Sequence, residues 1–317
     1  MAGPTALRNA VSAAASSSGG AVAVRSRRAV GDALAKGSAA ESASQRALVA
    51  IDRDGFVIPP LRRYAGQAAA YSALGLLGTI GFYTLAAGDP LVMALSLVGT
   101  AAWGHGILVT HWLERASALM LRDDLDAAET ILRRCLRPPW GSEAVRAQAH
   151  LRLSNLYSRR GEHRQAQESA AVAVRLFSAE YPPQPQFVQL SRYQEIRSLI
   201  NLGKQADARF QFEEIDSVPV GDFLRAQHYL TELYLALADE RLPMLDTALW
   251  ERSELALRTP SAEPLIALCA WGFCQLGERS TSRDLLSLAQ QRICEPLDRT
   301  LPFLHRFIES VREPWNL

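Results

Sequence analysis

The sequence predicts an all-α protein: an apolar helical hairpin followed by a stack of about five helix pairs. Three observations predict it. Two runs without Asp, Glu, Lys or Arg, Tyr64 to Gly88 and Pro90 to Leu113 (the second with His105 and His111), each exceed the roughly 20 residues that cross a bilayer core. Beyond them, Ala, Leu and aromatic residues recur at the three- and four-residue spacing of amphipathic helices. Glycines 161, 203 and 277 punctuate that pattern at intervals of 42 and 74 residues, the second being twice 37.

Composition narrows the function classes. The 34 Lys+Arg and 33 Asp+Glu nearly balance, so no bulk charge draws a nucleic acid, and none is expected as a partner. The four cysteines, Cys135, Cys269, Cys274 and Cys294, form no Cys-x-x-Cys pair and have no histidine at zinc-ligand spacing. They read as buried thiols in a reducing compartment, with neither a disulfide framework nor a metal site.

Residues 1–47 are rich in Ala, Ser and Gly and carry Arg8, Arg25, Arg27 and Arg28 before the first acid at Asp32. Such a segment buries too little apolar surface to offset the entropy of ordering, and reads as a disordered, solvated basic tail. The same composition also suits an organelle transit peptide. In the juxtamembrane segment 48–63, Val49-Ala50-Ile51 and Phe56-Val57-Ile58 flank Asp52-Arg53-Asp54-Gly55, a small hairpin turn, and Pro59-Pro60 ends it. The Asp-x-Asp-Gly fragment lacks the downstream bidentate Glu of a calcium loop.

Residues 64–112 form the expected transmembrane hairpin, with Gly88-Asp89-Pro90 as its turn. Arg53, Arg62 and Arg63 precede it and Arg115 and Arg122 follow, while the turn carries only Asp89. The positive-inside rule then puts both termini in the cytoplasm, at a bacterial inner membrane, or at an organelle membrane if the tail is a transit peptide. Two buried helices of a soluble protein are the competing reading. Small residues (Ala68, Ser72, Gly75, Gly78 and Gly81 on one arm; Gly99, Thr100, Gly104 and Gly106 on the other) serve either arm-to-arm packing or self-association. His105 has no ionisable companion within the spans, so a neutral hydrogen-bonded role is expected of it rather than proton relay.

Residues 113–317 are read as helical repeats. In the strongest unit, His150, Leu153, Ser154 and Tyr157 lie on one helix, Gly161 opens a turn, and Ala166, Ala170 and Ala173 follow on a second helix. This resembles the tetratricopeptide repeat, in which small residues sit where paired helices cross. Weaker copies run through Trp112, Ala116, Leu119, Asp123, Ala128 and Leu132; through Ile196, Leu199, Gly203, Ala208 and Phe212; and through Ile266, Ala270, Phe273, Gly277, Leu286 and Ala289. An irregular unit is placed between Phe223 and Leu257, around Tyr234 and Trp250. Arg115, Glu195 and Cys269 stand where the family usually has Leu, which leaves an α-solenoid of another kind open. Thr300 to Val311 reads as a final helix covering the last repeat through Leu301, Phe303, Leu304, Phe307 and Ile308.

No phosphate loop, His-Glu-x-x-His or Gly-x-Ser-x-Gly occurs, and Asp123, Asp124 and Asp126 open a helix whose positive end they complement. The expectation is a protein without enzymatic activity, catalytic residues, cofactor or metal. The resemblance implies a right-handed solenoid that binds a peptide or protein along a groove lined by the first helix of each pair. Carried onto this sequence, that groove includes Asn155, Arg159, Tyr193, Arg197, Asn201, His228, Glu232, Trp271 and Gln275, with Tyr193 and Trp271 equally suited to the core. The function expected is a membrane-anchored adaptor or scaffold. A structural subunit of a larger membrane complex is the alternative, and an enzyme with an unrecognised site is a third reading.

Overall fold

The computed structural model describes residues 30, 51, 57, 60–87, 90–215, 217–242, 246–293 and 296–315. The turns at 52–55 and 88–89, Pro243, Cys294 and nearly all of the N-terminal tail lie outside the described residues. Of the tail only Val30 is described, and it is fully buried in an apolar core. Ile51 pairs with Val57 in an antiparallel bridge, as the short hairpin requires.

Among the described residues everything else of regular structure is helical. The elements are α1 (Pro60–Ala87), α2 (Pro90–Leu121), α3 (Leu125–Cys135), α4 (Glu143–Arg160), α5 (His163–Ala179), α6 (Pro185–Asn201), α7 (Gln205–Glu213), α8 (Asp222–Ala238), α9 (Asp246–Arg258), α10 (Glu263–Gln275), α11 (Arg279–Arg292), α12 (Leu297–Thr300) and α13 (Pro302–Trp315). They fall into two compact units. One holds Leu48–Tyr157 and Gln165–Arg192; the other holds Ser158–Arg164 and Tyr193–Leu317 together with the N-terminal residues.

A turn of one design recurs through the helix pairs. Asp123, Gly161, Gly203, Glu240 and Gly277 all have positive φ, between 53° and 83°, at spacings of 38, 42, 37 and 37 residues. Glu240 supplies the beat that the glycine spacing left empty. At Asp123, Gly203, Glu240 and Gly277 the left-handed residue donates its N–H to the carbonyl three residues back. The next N–H reaches five residues back, as Lys204 does to Leu199 at 2.9 Å and Glu278 to Phe273 at 2.9 Å. These paired bonds satisfy carbonyls that a helix end would otherwise leave open.

The packing repeats with the turn. Seven residues before each left-handed residue stand Ala116, Ser154, Ile196, Leu233 and Ala270, all fully buried. Five residues after it, where described, stand Ala128, Ala166, Ala208 and Ser282, also fully buried. Apart from Ile196 and Leu233 these side chains are small, which lets the two helices of a pair approach closely. Two pairs show the approach directly: Ser154 Oγ donates to the Ala166 carbonyl at 2.7 Å, and Ser282 Oγ to the Ala270 carbonyl at 2.5 Å. The hydroxyl has changed helices between the two pairs while the contact has stayed. The acidic cluster opens α3 as expected, with Asp124 Oδ1 accepting from the Ala127 N–H at 3.2 Å.

Within the first unit, α1 packs on α2 and α2 on α3. Trp103 Nε1 donates to the Ala70 carbonyl at 3.0 Å, and a Cβ at Gly81 would lie 3.3 Å from that of Ser96. Among the described residues one helix, α2, is long and apolar enough to cross a membrane, with mean hydropathy 1.6 in its best window. α1 is long enough at 28 residues, but its Ala, Gly, Ser and Tyr content leaves it less apolar. The expected boundary at residue 112 falls inside α2. Leu91, Leu95, Leu97 and Val98 are 59–69% exposed, whereas Val109 is buried and Leu113, Ala116 and Met120 are buried against α3 and α4.

Candidate functional site

In the second unit, α8 and α10 are the first helices of successive pairs, and their shared face carries the site. α10 is apolar on every side, with each residue from Pro264 to Phe273 buried. A helix apolar all round must be covered all round. Its pair partner α11 covers one side and α8 and α9 cover others. The remaining cover comes from α13, which packs on α8 and α10.

The final helix therefore covers the last pair as expected, and it also reaches α8 of the pair before. Leu301, Leu304 and Ile308 are buried in the core of the unit, with Phe303, Phe307 and Val311 partly buried beside them. That apolar stripe is too wide for a cap with one neighbour, and two first helices side by side offer it a groove. Phe303 meets Tyr234 of α8 edge to face at 6.0 Å between centroids.

At the head of the groove, Asn201 holds the backbone of the C-terminal segment. Its Nδ2 donates to the Thr300 carbonyl at 3.0 Å and faces His163 Nδ1 at 3.2 Å. Its Oδ1 accepts from the Tyr234 hydroxyl at 2.5 Å. Burial lowers the pKa of His163, which favours the neutral ring with a free lone pair for the amide. Burial also pushes the Tyr234 phenol far above its ordinary value, keeping it a donor. The Asn201 amide is therefore oriented from both sides, with one N–H aimed at a main-chain oxygen.

The other residues expected in a groove divide. Tyr193, His228, Trp271 and Arg159 are buried, with exposures of 0, 7, 3 and 7%. Tyr193 Oη lies 3.2 Å from His228 Nδ1, and the His228 ring also packs on Phe212. Arg197 bonds Gln194 at 2.8 Å on its own helix and Gln227 and Thr231, both at 3.1 Å, on α8. It joins two helices, so charge reversal there would perturb folding along with any binding. Glu232 pairs with Arg252 of α9 at 3.0 Å, and that guanidinium lies 4.4 Å over the Tyr229 ring. Asn155 and Gln275 are exposed. Of the nine, Asn201 bonds the C-terminal segment; Tyr234, His163 and the Thr300 carbonyl, which complete that cluster, were not foreseen. The signal for them was the continuous apolar run of α10, which no single partner helix could cover.

Cys135 and Cys269 are free and buried, and burial pushes the Cys269 thiol up to about 11. Among the described residues no three His, Cys, Asp or Glu side chains are grouped so as to hold a metal ion. No protein-family model, curated protein or solved structure matches this chain.

Proposed function

We propose that this chain is a membrane-anchored adaptor, with α1 and α2 as a transmembrane hairpin and tetratricopeptide-like helix pairs presenting a protein-binding face to the cytoplasm. The observation that carries the reading is the continuity of α2. One unbroken helix of 32 residues exposes large apolar side chains over its first half and is buried in a helix pair over its second. At 1.5 Å per residue, a span of about 20 residues uses roughly 30 Å of it and leaves the rest to the pair. An anchor built this way holds the helix pair at the bilayer without a flexible linker. The recurrent turn and the small residues at four of its five crossings support the tetratricopeptide-like reading.

A second reading, a subunit of a larger membrane complex, is favoured by one observation. A Cβ added at Gly75, Gly78, Gly99 or Gly106 would meet nothing within 4 Å, so these glycines do not serve the contact between α1 and α2. Close approach by further spans would use them.

The test is twofold. Reporters fused before residue 60 and after Leu317 are expected to be cytoplasmic together; opposite locations would defeat the hairpin. Affinity purification of the full chain in mild detergent, read by mass spectrometry, is expected to recover water-soluble partners at less than one per chain. Recovery of a fixed set of integral membrane proteins at constant ratio would establish the second reading instead.

A further inference from the structure

We propose that α13 is a resident ligand: the face of α8 and α10 is a helix-binding groove filled in cis by the C-terminal segment. The partner it fits is an amphipathic helix with the same apolar pattern. The inference rests on the reading of the helix pairs as a binding module and says what that module recognises.

Four features carry it. Among the described helices none follows the occupant, which is joined to the rest through α12. It meets the groove through Leu304 and Ile308, flanked by partly buried Phe303, Phe307 and Val311 and preceded by buried Leu301, while Arg306, Glu309, Ser310 and Arg312 remain exposed. That is the arrangement of an amphipathic helix laid in a groove, anchored at three- and four-residue spacing. The polar anchor reads main chain: the Asn201 amide, oriented by Tyr234 and His163, donates to the Thr300 carbonyl. A contact to a backbone oxygen is available to any occupant whose chain enters along this path ahead of its helix, whatever its side chains. Finally, α10 is apolar on the side that α13 covers, so the groove left behind would demand another apolar occupant.

A site occupied in cis binds a competitor only in the fraction of molecules whose groove is open, which raises the apparent Kd by the reciprocal of that fraction. The experiment uses the full chain in mild detergent and a fluorescent peptide of residues 297–315. The double variant Leu304→Asp, Ile308→Asp releases α13 and leaves the groove intact. The labelled peptide is expected to bind this variant at least about tenfold more tightly than the wild type. A peptide carrying the same two substitutions is expected not to bind. Because the variant could unfold, a second arm inserts a protease site between residues 293 and 296. After cutting, excess peptide is expected to displace the native tail while the rest of the chain keeps its cooperative melt.

A cut tail that does not exchange, or whose loss abolishes the melt, would make α13 a fixed part of the core and overturn the proposal. Wild-type dimers formed by exchange of α13 would assign the groove to a second copy and overturn the partner. Failure in these arms leaves the topology and co-purification results untouched, so the adaptor reading stands or falls separately.

Discussion

His228 shows at the scale of one residue how burial sets chemistry. Its ring is enclosed by Tyr193, Phe212 and Tyr229. Burial, helped by the positive charge of Arg252, depresses its pKa from 6.5 to about 4. The folded state thus binds a proton less readily than the unfolded state. Its contribution to stability is complete above the unfolded value and is lost as pH falls from about 6.5 towards 4. Denaturation of the full chain at pH 7.5 and pH 5 should show a loss of up to about 2 kcal/mol from this group. His150 and His163, also depressed by burial, act with the same sign. His228→Asn keeps an acceptor near the Tyr193 hydroxyl and removes the titration, so it should reduce the loss. An unchanged pH dependence in that variant would show that His228 is accessible to protons in the folded chain.

At the scale of the element, the turn decides where each first helix stops. Glycine adopts positive φ without the steric penalty that a Cβ brings, yet Glu240 and Asp123 hold the same conformation as Gly161, Gly203 and Gly277. Their bonds to Leu237 and Met120 show the chain accepting that penalty to complete the turn. Glu240→Gly should therefore stabilise the protein by about 0.5–1 kcal/mol, and Gly277→Ala should destabilise it by about 1 kcal/mol. Paired thermal melts read both. Loss of stability in Glu240→Gly would mean that the glutamate side chain holds the turn through contacts outweighing the backbone strain. The periodic small residues were legible beforehand at Ala166 and Ala208. The Glu240 turn was not, because glutamate carries no sequence signal for left-handed backbone.

For the whole molecule, the question is what solvent surrounds the first half of α2. Val98 is 68% exposed there. In water, Val98→Asp at so open a position should change stability by less than about 0.5 kcal/mol and leave fractionation unaltered. In a bilayer core, the same change costs roughly 2.5–3.5 kcal/mol of insertion. The proposed anchor therefore predicts a clear drop in the fraction of chain that resists alkaline extraction from membranes. Equal extraction of variant and wild type would sink it. His105 gives a gentler guide to the boundary, since its ring stacks on Trp140 at 5.3 Å where exposed helix gives way to buried helix.

Local patterns along the chain were enough for the helical class, the apolar character of α2, the acidic start of α3 and the near-40-residue period of the pairs. These follow from local spacing, charge and the conformational freedom of glycine, all of which act within a few residues of chain. Which polar side chains remain available depended on packing between helices. Arg197, Glu232 and His228 satisfied a surface pattern on their own helices and were then engaged by Gln227, Arg252 and Tyr193 from elsewhere in the chain. Packing also decided the place of α13. An amphipathic stripe states that a helix must be covered, but says nothing of which apolar face will cover it. Here the face was α8 and α10, and Asn201 meets Thr300 across 99 residues of sequence. A hydrogen bond over that separation depends on where the intervening helices turn and pack, and no local pattern encodes the sum of those turns.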